Sequence, residues 1–207
     1  MAENKTLPRV TVTGTRAPGT SFKISDFKSK IGKIARPNLF DCVLTGYTKV
    51  VGATNGNLPN IGDTFPFRCE RAELPGRTLA TADDAVGGGP AMKLPYDMVY
   101  SDIQLSIICS TDMKERVFFE DWLDAIVAPG SSTNKSNSGL VAYYSDYALG
   151  VSLVVSQLDE AGNVLISYAL KDCYPIAITP MTAQWEETNT YQRFGVTLAY
   201  RYYTFEI

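Results

Sequence analysis

The sequence predicts a mainly β protein, an antiparallel β-sandwich or barrel with one flanking α-helix at about residues 112–127. Two observations support this fold class. Apolar and polar residues alternate at 103–107 and again at 194–202, as they do along half-buried strands. Between these two stretches, a single segment repeats its apolar residues at helical spacing instead. With 207 residues, 45% of them hydrophobic, the chain is long enough to bury one substantial core.

Two hairpins are predicted ahead of the last strand. Residues 39–51 form an extended run, and residues 64–69 are expected to return beside it after a long tip at 48–63. The second hairpin joins residues 148–158 to residues 164–170 through a turn that contains Gly162. In the last strand, alternation places one set of apolar side chains on a single face: Phe194, Val196, Leu198, Tyr200 and Tyr202.

The predicted helix has a start signal, a packing face and a stop signal. Asp112, followed three residues later by Glu115, resembles a capping box. Phe118, Trp122 and Ile126 then recur at near-helical spacing, so we expect these three side chains to form the helix packing core. An Ala-Pro-Gly sequence at 128–130 ends the helix.

The helix also carries several carboxylates, which could suggest a metal site or general acid–base chemistry: Glu115, Glu120, Asp121 and Asp124. Arg116 precedes Glu120 by four residues, the spacing of a surface ion pair. Because the opposite stripe of the helix is apolar, we interpret the carboxylates as its solvated face.

Composition excludes several classes of function. The chain has no histidine, which excludes a Ser-His-Asp or Cys-His catalytic group and an HExxH zinc site. The four cysteines are widely spaced and are predicted to be buried free thiols. We therefore predict no enzymatic activity, no cofactor and no metal. A net charge of −3 argues against a dedicated nucleic-acid binder, and no apolar stretch is long enough to span a membrane. The N-terminus lacks a signal-peptide pattern, so synthesis is expected to end in the cytosol.

Charge divides the chain into two predicted regions, a basic N-terminal arm at 1–34 and a β domain at 35–207. The arm has seven basic and two acidic residues, a net charge of +5, whereas the domain has twelve and twenty, a net charge of −8. The arm is interpreted either as a solvated tail or as a segment that docks on an acidic neighbour. Its candidate contact residues, with one from the start of the domain, are Lys23, Lys28, Lys30, Lys33 and Arg36.

Two further segments are candidates for contacts between subunits. Residues 78–95 lack a clear β pattern and contain a Gly-Gly-Gly-Pro tract, which no Lys-Ser/Thr pair follows as a phosphate-binding loop would require. A long loop of this kind is usually functional or disordered. Its candidate contact residues are Arg77, Asp83, Asp84, Gly88, Met92 and Tyr96. The second segment is the 48–63 tip, with Asn55, Asn57 and Asn60.

Four stretches of the sequence, in order, resemble the tail tube protein of contractile-tailed bacteriophages. They are Ala-Arg-Pro-Asn-Leu-Phe at 35–40, Phe-Arg-Cys-Glu-Arg-Ala-Glu-Leu-Pro-Gly at 67–76, Phe-Phe-Glu-Asp-Trp at 118–122, and a C-terminal block with Tyr174-Pro175, Trp185 and 194–200. The resemblance covers about residues 35–207.

This resemblance implies a structural role in a virion tail. Six copies would close a ring, and rings would stack into a hollow tube inside a contractile sheath, with the inner sheets joined edge to edge. Expected partners are further copies of the chain, the tail sheath protein, and the baseplate and tail-terminator proteins. DNA would pass through the lumen without specific binding, which an acidic body favours. Assembly would take place in the host cytoplasm.

Other interpretations stay open at this point. Within the same class, the chain could be a baseplate-proximal tube initiator, or the tube of a contractile injection particle that carries no DNA. From another class, a monomeric β-sandwich that binds carbohydrate would also lack histidine and be rich in tyrosine. A hydrolase with paired carboxylates is the weakest alternative, because its acidic residues fall on one helix face.

Overall fold

A computed structural model describes residues 24, 36–48, 50, 59–84, 92–127, 141–185 and 190–207. This part of the chain is mainly β and its sheets are antiparallel, as predicted. Its elements, in chain order, are β1 (Phe40–Thr45), α1 (Phe65–Arg68), β2 (Cys69–Ala72), β3 (Arg77–Asp84), β4 (Met92–Tyr100), β5 (Ile103–Ile108), α2 (Lys114–Ile126), α3 (Tyr144–Tyr147), β6 (Ser152–Leu158), β7 (Val164–Lys171), β8 (Tyr174–Ile178), β9 (Arg193–Ala199) and β10 (Tyr202–Glu206).

Two four-stranded sheets share one hydrophobic core. Sheet A has the order β1-β6-β7-β10, sheet B has the order β2-β5-β9-β8, and β3 and β4 form a separate two-stranded ribbon. Alternate side chains from both sheets are buried together with the apolar side of α2. The largest of these buried residues are Phe65, Ile103, Leu105, Ile107, Phe118, Phe119, Trp122, Leu153, Leu170, Phe194 and Leu198.

The hairpin of β6 and β7 is confirmed. The two strands pair antiparallel, and Asp159 donates its amide to the carbonyl of Asn163 over 2.8 Å at the turn. Gly162 sits at φ +81°, a left-handed conformation that glycine adopts without a steric penalty.

The predicted first hairpin is wrong. β1 pairs with β6, and β2 pairs with β5. Residues 65–68 form a short helix, although their two phenylalanines alternate as they would on a strand. Pro66 explains the difference, because proline has no amide to donate to a sheet yet fits the first turn of a helix. The helix buries Phe65 and leaves Phe67 86% exposed.

The predicted last strand divides into two. Phe194, Val196 and Leu198 are buried in sheet B as expected, but the chain leaves that sheet at Tyr200 and continues as β10 in sheet A. Tyr202 is therefore 41% exposed, although it has the same parity as the buried residues. Sequence periodicity cannot detect this change of sheet, because each half keeps its own alternation.

Helix α2 lies where it was predicted, but a different residue caps it. Asp112 makes no side-chain cap. Instead, the Lys114 amide donates to the hydroxyl of Ser110 over 3.4 Å, and the Ser110 amide donates to the carboxylate of Glu115 over 2.9 Å. Ser110 thus satisfies the first free amide of the helix, but its spacing of five residues from Glu115 is not that of a capping box. The residue directly before the helix is Met113, which has a left-handed φ of 54° and makes no side-chain cap.

The packing face of α2 rests on aromatic side chains. Phe118 and Trp122 are completely buried, and Ile126 is partly buried at the end of the helix. The indole N–H of Trp122 donates to the carbonyl of Tyr147 over 3.0 Å, so the buried ring keeps its polar group satisfied. None of the described helices is long and apolar enough to cross a membrane.

The prediction that all four acidic residues of α2 lie on its solvated face is wrong for Glu115. Its side chain is buried, and Arg68 of α1 lies 3.8 Å from it. Burial opposes ionisation, but the hydrogen bond from the Ser110 amide and the charge of Arg68 outweigh this effect and lower the pKa of Glu115 below its ordinary value of 4.5. In contrast, Arg116 and Glu120 form the expected surface ion pair at 2.7 Å.

The cysteines are free thiols, and Cys42, Cys69 and Cys173 are buried. Burial raises the pKa of Cys173 to about 12, which keeps its thiol protonated and unreactive at neutral pH. Cys109 is only partly buried.

We expect Glu115→Gln to lower the free energy of unfolding at pH 7 by about 1–3 kcal/mol, because the Ser110 amide would lose a charged acceptor and Arg68 its partner. The lowered folded pKa means that the carboxylate stabilises the fold above about pH 4.5 and loses this effect as the pH falls through the folded pKa. Urea unfolding at several pH values measures both effects. Glu120→Gln is the control, since its exposed pair contributes at most about 1 kcal/mol. Equal losses in the two variants would contradict the assignment.

Candidate functional site

The β3–β4 ribbon replaces most of the loop predicted at residues 78–95. The strands pair antiparallel from Arg77 opposite Tyr100 to Asp84 opposite Met92, with a register shift between Ala80 and Thr81. Residues 85–91, at its tip, lie outside the described residues. Nearly every side chain of the ribbon is exposed, and this explains why no burial pattern marked it as a pair of strands.

The ribbon has two chemically different faces. Side chains directly opposite each other in an antiparallel pair share a face, and alternate side chains along a strand lie on opposite faces. One face, which we call the apolar ribbon face, carries five large apolar side chains, Leu79, Met92, Leu94, Tyr96 and Met98, together with Ala82 opposite Leu94 and Asp84 opposite Met92. The other face carries Thr78, Ala80, Thr81, Asp83, Lys93, Pro95, Asp97 and Val99. On the apolar ribbon face, exposure ranges from 38% at Met98 to 73% at Tyr96.

At its base, the apolar ribbon face joins the core of the body. The ring of Tyr100 packs edge-on against Tyr203 with centroids 5.6 Å apart, and it contacts the buried Tyr200 at 6.0 Å. The guanidinium of Arg77 lies 5.8 Å from the ring centroid of Tyr203. At the base of the ribbon, its apolar side is therefore on the core side of the sandwich. Farther along the ribbon, this side is exposed. Exposed groups of large apolar side chains often occur at sites of interaction.

Each four-stranded sheet also ends in two outer strands. These are β1 and β10 in sheet A, and β2 and β8 in sheet B. Within the part of the chain that the structure describes, each outer strand has a strand neighbour on one side only. The free backbone groups of such an edge can pair with a strand of another chain.

The structure places the candidate contact residues as follows. Met92 and Tyr96 belong to the apolar ribbon face, Asp83 and Asp84 end β3, and Arg77 lies on Tyr203. Asn60 has an internal role, since its side-chain oxygen accepts hydrogen bonds from the Tyr47 hydroxyl at 2.7 Å and the Gly62 amide at 3.1 Å. Arg36 is exposed. Outside the described residues lie Lys23, Lys28, Lys30, Lys33, Asn55, Asn57 and Gly88. The basic arm at 1–34 stays a prediction for the same reason.

Sequence reasoning missed Leu79, Leu94 and Met98. A signal was present, because residues 92–100 read Met-Lys-Leu-Pro-Tyr-Asp-Met-Val-Tyr, with a large apolar side chain at every even position. Pro95 and the neighbouring glycine tract hid this alternation, since both are typical of loops. Proline is compatible with an outer strand, which is what β4 is.

The acidic residues of α2 do not converge on a chemical site. Glu120 and Asp124 line an open groove between α2 and β8 together with apolar residues such as Leu123 and Ile176. Among the described residues, no three His, Cys, Asp or Glu side chains lie close enough together to hold a metal ion.

Comparison with known proteins identifies relatives of this fold. The family model of the phage tail tube protein matches residues 35–206. Tail tube protein gp19 of Enterobacteria phage T4 is 24% identical over 173 residues, which cover 83% of this chain and 92% of that protein. A chain of the six-fold symmetrised anti-feeding prophage baseplate superposes with a TM-score of 0.58 at 14% identity, covering 84% of this chain and 96% of that chain. A chain of the extended PVC sheath–tube complex, an extracellular contractile injection system, gives 0.54 at 14% identity, covering 90% and 99%.

We expect Leu94→Ala to change the free energy of unfolding of dilute protein by less than about 0.5 kcal/mol, because Leu94 is an exposed residue outside the buried core. The same substitution at buried Leu105 should cost about 2–5 kcal/mol. Urea unfolding of both variants provides the measurement. A loss at Leu94 as large as that at Leu105 would mean that the ribbon face is packed within one subunit.

Proposed function

The chain belongs to the phage tail tube protein family, and we propose that it builds the inner tube of a contractile tail from closed rings of six copies. The apolar ribbon face carries this proposal. It groups five large, exposed apolar side chains on one side of the ribbon, and a second copy of the chain can cover them. The family match over residues 35–206 supports the identity of that second copy.

The contact between copies is heterologous, which means that two different surfaces meet. Strand β2 is an outer strand of sheet B and leads directly into the ribbon, whereas β8 is the outer strand on the opposite side of the same sheet. The ribbon joins both β2 and β5, and because β2 is the outer strand of these two, we place the neighbour that covers the apolar ribbon face beside β2. If its β8 pairs with that β2, the same contact repeats from copy to copy and closes a ring without free edges in sheet B.

The proposed rings stack into a tube that the tail sheath protein surrounds, and the tube ends at the baseplate and at the tail terminator. Solved relatives of this fold occur in a sheath–tube complex, in a baseplate and in a tube-terminating cap, which supports these partners. The tube is the channel for genome ejection on sheath contraction, in the virion tail, and it assembles in the host cytoplasm. Its role is structural and it catalyses no reaction.

Negative-stain microscopy of the purified protein at rising concentration tests this proposal. We expect six-fold rings and stacked tubes. A protein that stays monomeric at high concentration would contradict the proposal and favour the carbohydrate-binding alternative.

We expect Leu94→Gln to raise the protein concentration required for assembly by roughly 10- to 100-fold. Burying one leucine side chain contributes about 1.5–3 kcal/mol, and each 1.4 kcal/mol corresponds to a tenfold change in an equilibrium constant. Sedimentation of assembled protein across a concentration series gives this threshold directly.

Val99→Gln is the matched control for that experiment. Val99 lies on the same strand and is 51% exposed, but it belongs to the opposite face of the ribbon. Its substitution should shift the threshold much less. Equal shifts for the two variants would show that the apolar ribbon face has no special part in assembly.

A further inference from the structure

The surface of sheet B that points away from the core carries charged side chains in pairs. Because the residues at alternate positions of β5 and β9 are buried, their neighbours point outward. This outer face of sheet B includes Gln104, Ser106, Arg193 and Thr197, and Arg71 of β2 lies opposite Ser106. A further pair of opposite charges, Lys93 directly opposite Asp83, lies on the ribbon side away from the apolar ribbon face.

Two glutamates hold the two arginines of this face. A carboxylate oxygen of Glu70 lies 3.5 Å from Arg193, and the other accepts a hydrogen bond from the Tyr191 hydroxyl over 2.7 Å. Similarly, Glu73 lies 3.3 Å from Arg71 and also accepts the backbone amide of Gln104 over 3.3 Å. The Tyr191 hydrogen bond, with Arg193, lowers the pKa of Glu70, so this glutamate keeps its charge in mildly acidic solution.

These two ion pairs contribute little to the stability of the fold. The side chains of Arg71 and Arg193 are largely exposed, and ion pairs between exposed side chains contribute little to folding. The ion pairs can instead influence which molecules bind to this surface. Arginine binds phosphate well, through two parallel hydrogen bonds. A carboxylate beside the guanidinium offsets its charge and competes with phosphate for one of its donors.

The geometry of the proposed ring decides which way this face points. The apolar ribbon face lies on the core side of sheet B, so the neighbour that covers it lies on that side too. Sheets B joined through β2 and β8 then form a continuous wall with all six bodies on one side. The remainder of each subunit, which lies behind sheet B, needs more space than the sheet itself. Six such remainders fit only on the outside of a closed ring of sheets, where the circumference is greater. The outer face of sheet B is consequently the inner surface of the ring.

We infer that the outer face of sheet B lines the channel, and that Glu70 and Glu73 prevent Arg193 and Arg71 from binding the phosphates of DNA that moves through it. This inference rests on the proposed function. In such a channel the basic groups are present, but glutamates of the same subunit neutralise them, so the wall attracts passing DNA only weakly.

The test compares assembled tubes of wild type with tubes of Glu70→Gln/Glu73→Gln. A short, linear, fluorescently labelled double-stranded DNA is present during assembly at about 50 mM salt, and the tubes are then sedimented. We expect the variant to retain at least about ten times more DNA than wild type and to release it at about 200 mM salt, since freed arginines bind phosphate through counterion release. The retained DNA should resist added nuclease because it lies inside the tube.

Glu120→Gln/Asp112→Asn is the matched control. It frees two basic side chains of the α2 region, Arg116 and Lys114, from carboxylates at 2.7 and 3.0 Å, which are closer than those of the tested pairs. Any DNA bound by this control should be digested by the nuclease. Because Glu73 also accepts a backbone amide, the single variant Glu70→Gln provides a second test that leaves that bond intact, with an intermediate retention expected.

Two results would overturn the inference: retention by both glutamate variants no greater than in wild type, or retained DNA as sensitive to nuclease as in the control. Failure of the proposed function is recognised separately, because wild-type protein would then form no rings in the microscope before any DNA is added.

Discussion

The packing of Tyr100 against Tyr200 and Tyr203 determines how the ribbon leaves the body. These three rings close the end of the core where sheets A and B meet β3 and β4. They fix which side of the ribbon faces the core side of the sandwich at its base. In the proposed ring this is the side that a neighbouring subunit covers, and the proposed pairing of sheet edges and the proposed inner surface depend on it.

Electrostatics has two separate roles in this molecule. In the interior, Glu115 connects the start of α2 to α1 through Arg68 and the Ser110 amide, and its environment favours the ionised form despite burial. On the surface, charges are instead paired locally, as in Arg116 with Glu120 and Arg193 with Glu70. The acidic balance of residues 35–207 is thus compatible with surfaces on which the basic groups are already neutralised.

Local patterns in the sequence predicted the fold class, the helix and the β6–β7 hairpin, because in each of these the burial of a side chain is decided by residues nearby. The partner of β1 could not be predicted in this way, since it lies more than a hundred residues away in β6. The same limit applies to the chain's change of sheet after Tyr200. The ribbon was missed for a different reason: its apolar side chains are exposed in the subunit, so the pattern had no core in its own chain to match. The pair of Arg193 with Glu70 gave no signal, because 123 residues separate the two in the sequence and the folded sheet brings them together.

The change of sheet between β9 and β10 has a mechanical consequence for a tube wall. Within two residues, one backbone passes from the layer proposed to face the channel into the opposite layer, where the Arg201 amide donates to the carbonyl of Lys171 over 3.0 Å. The guanidinium of Arg201 lies 3.8 Å from Asp172 at the same point. Sliding of one layer over the other would have to strain this covalent crossing in every subunit. The two layers of the tube wall would therefore move together under shear, and a force applied to the outer surface would be transmitted to the inner surface.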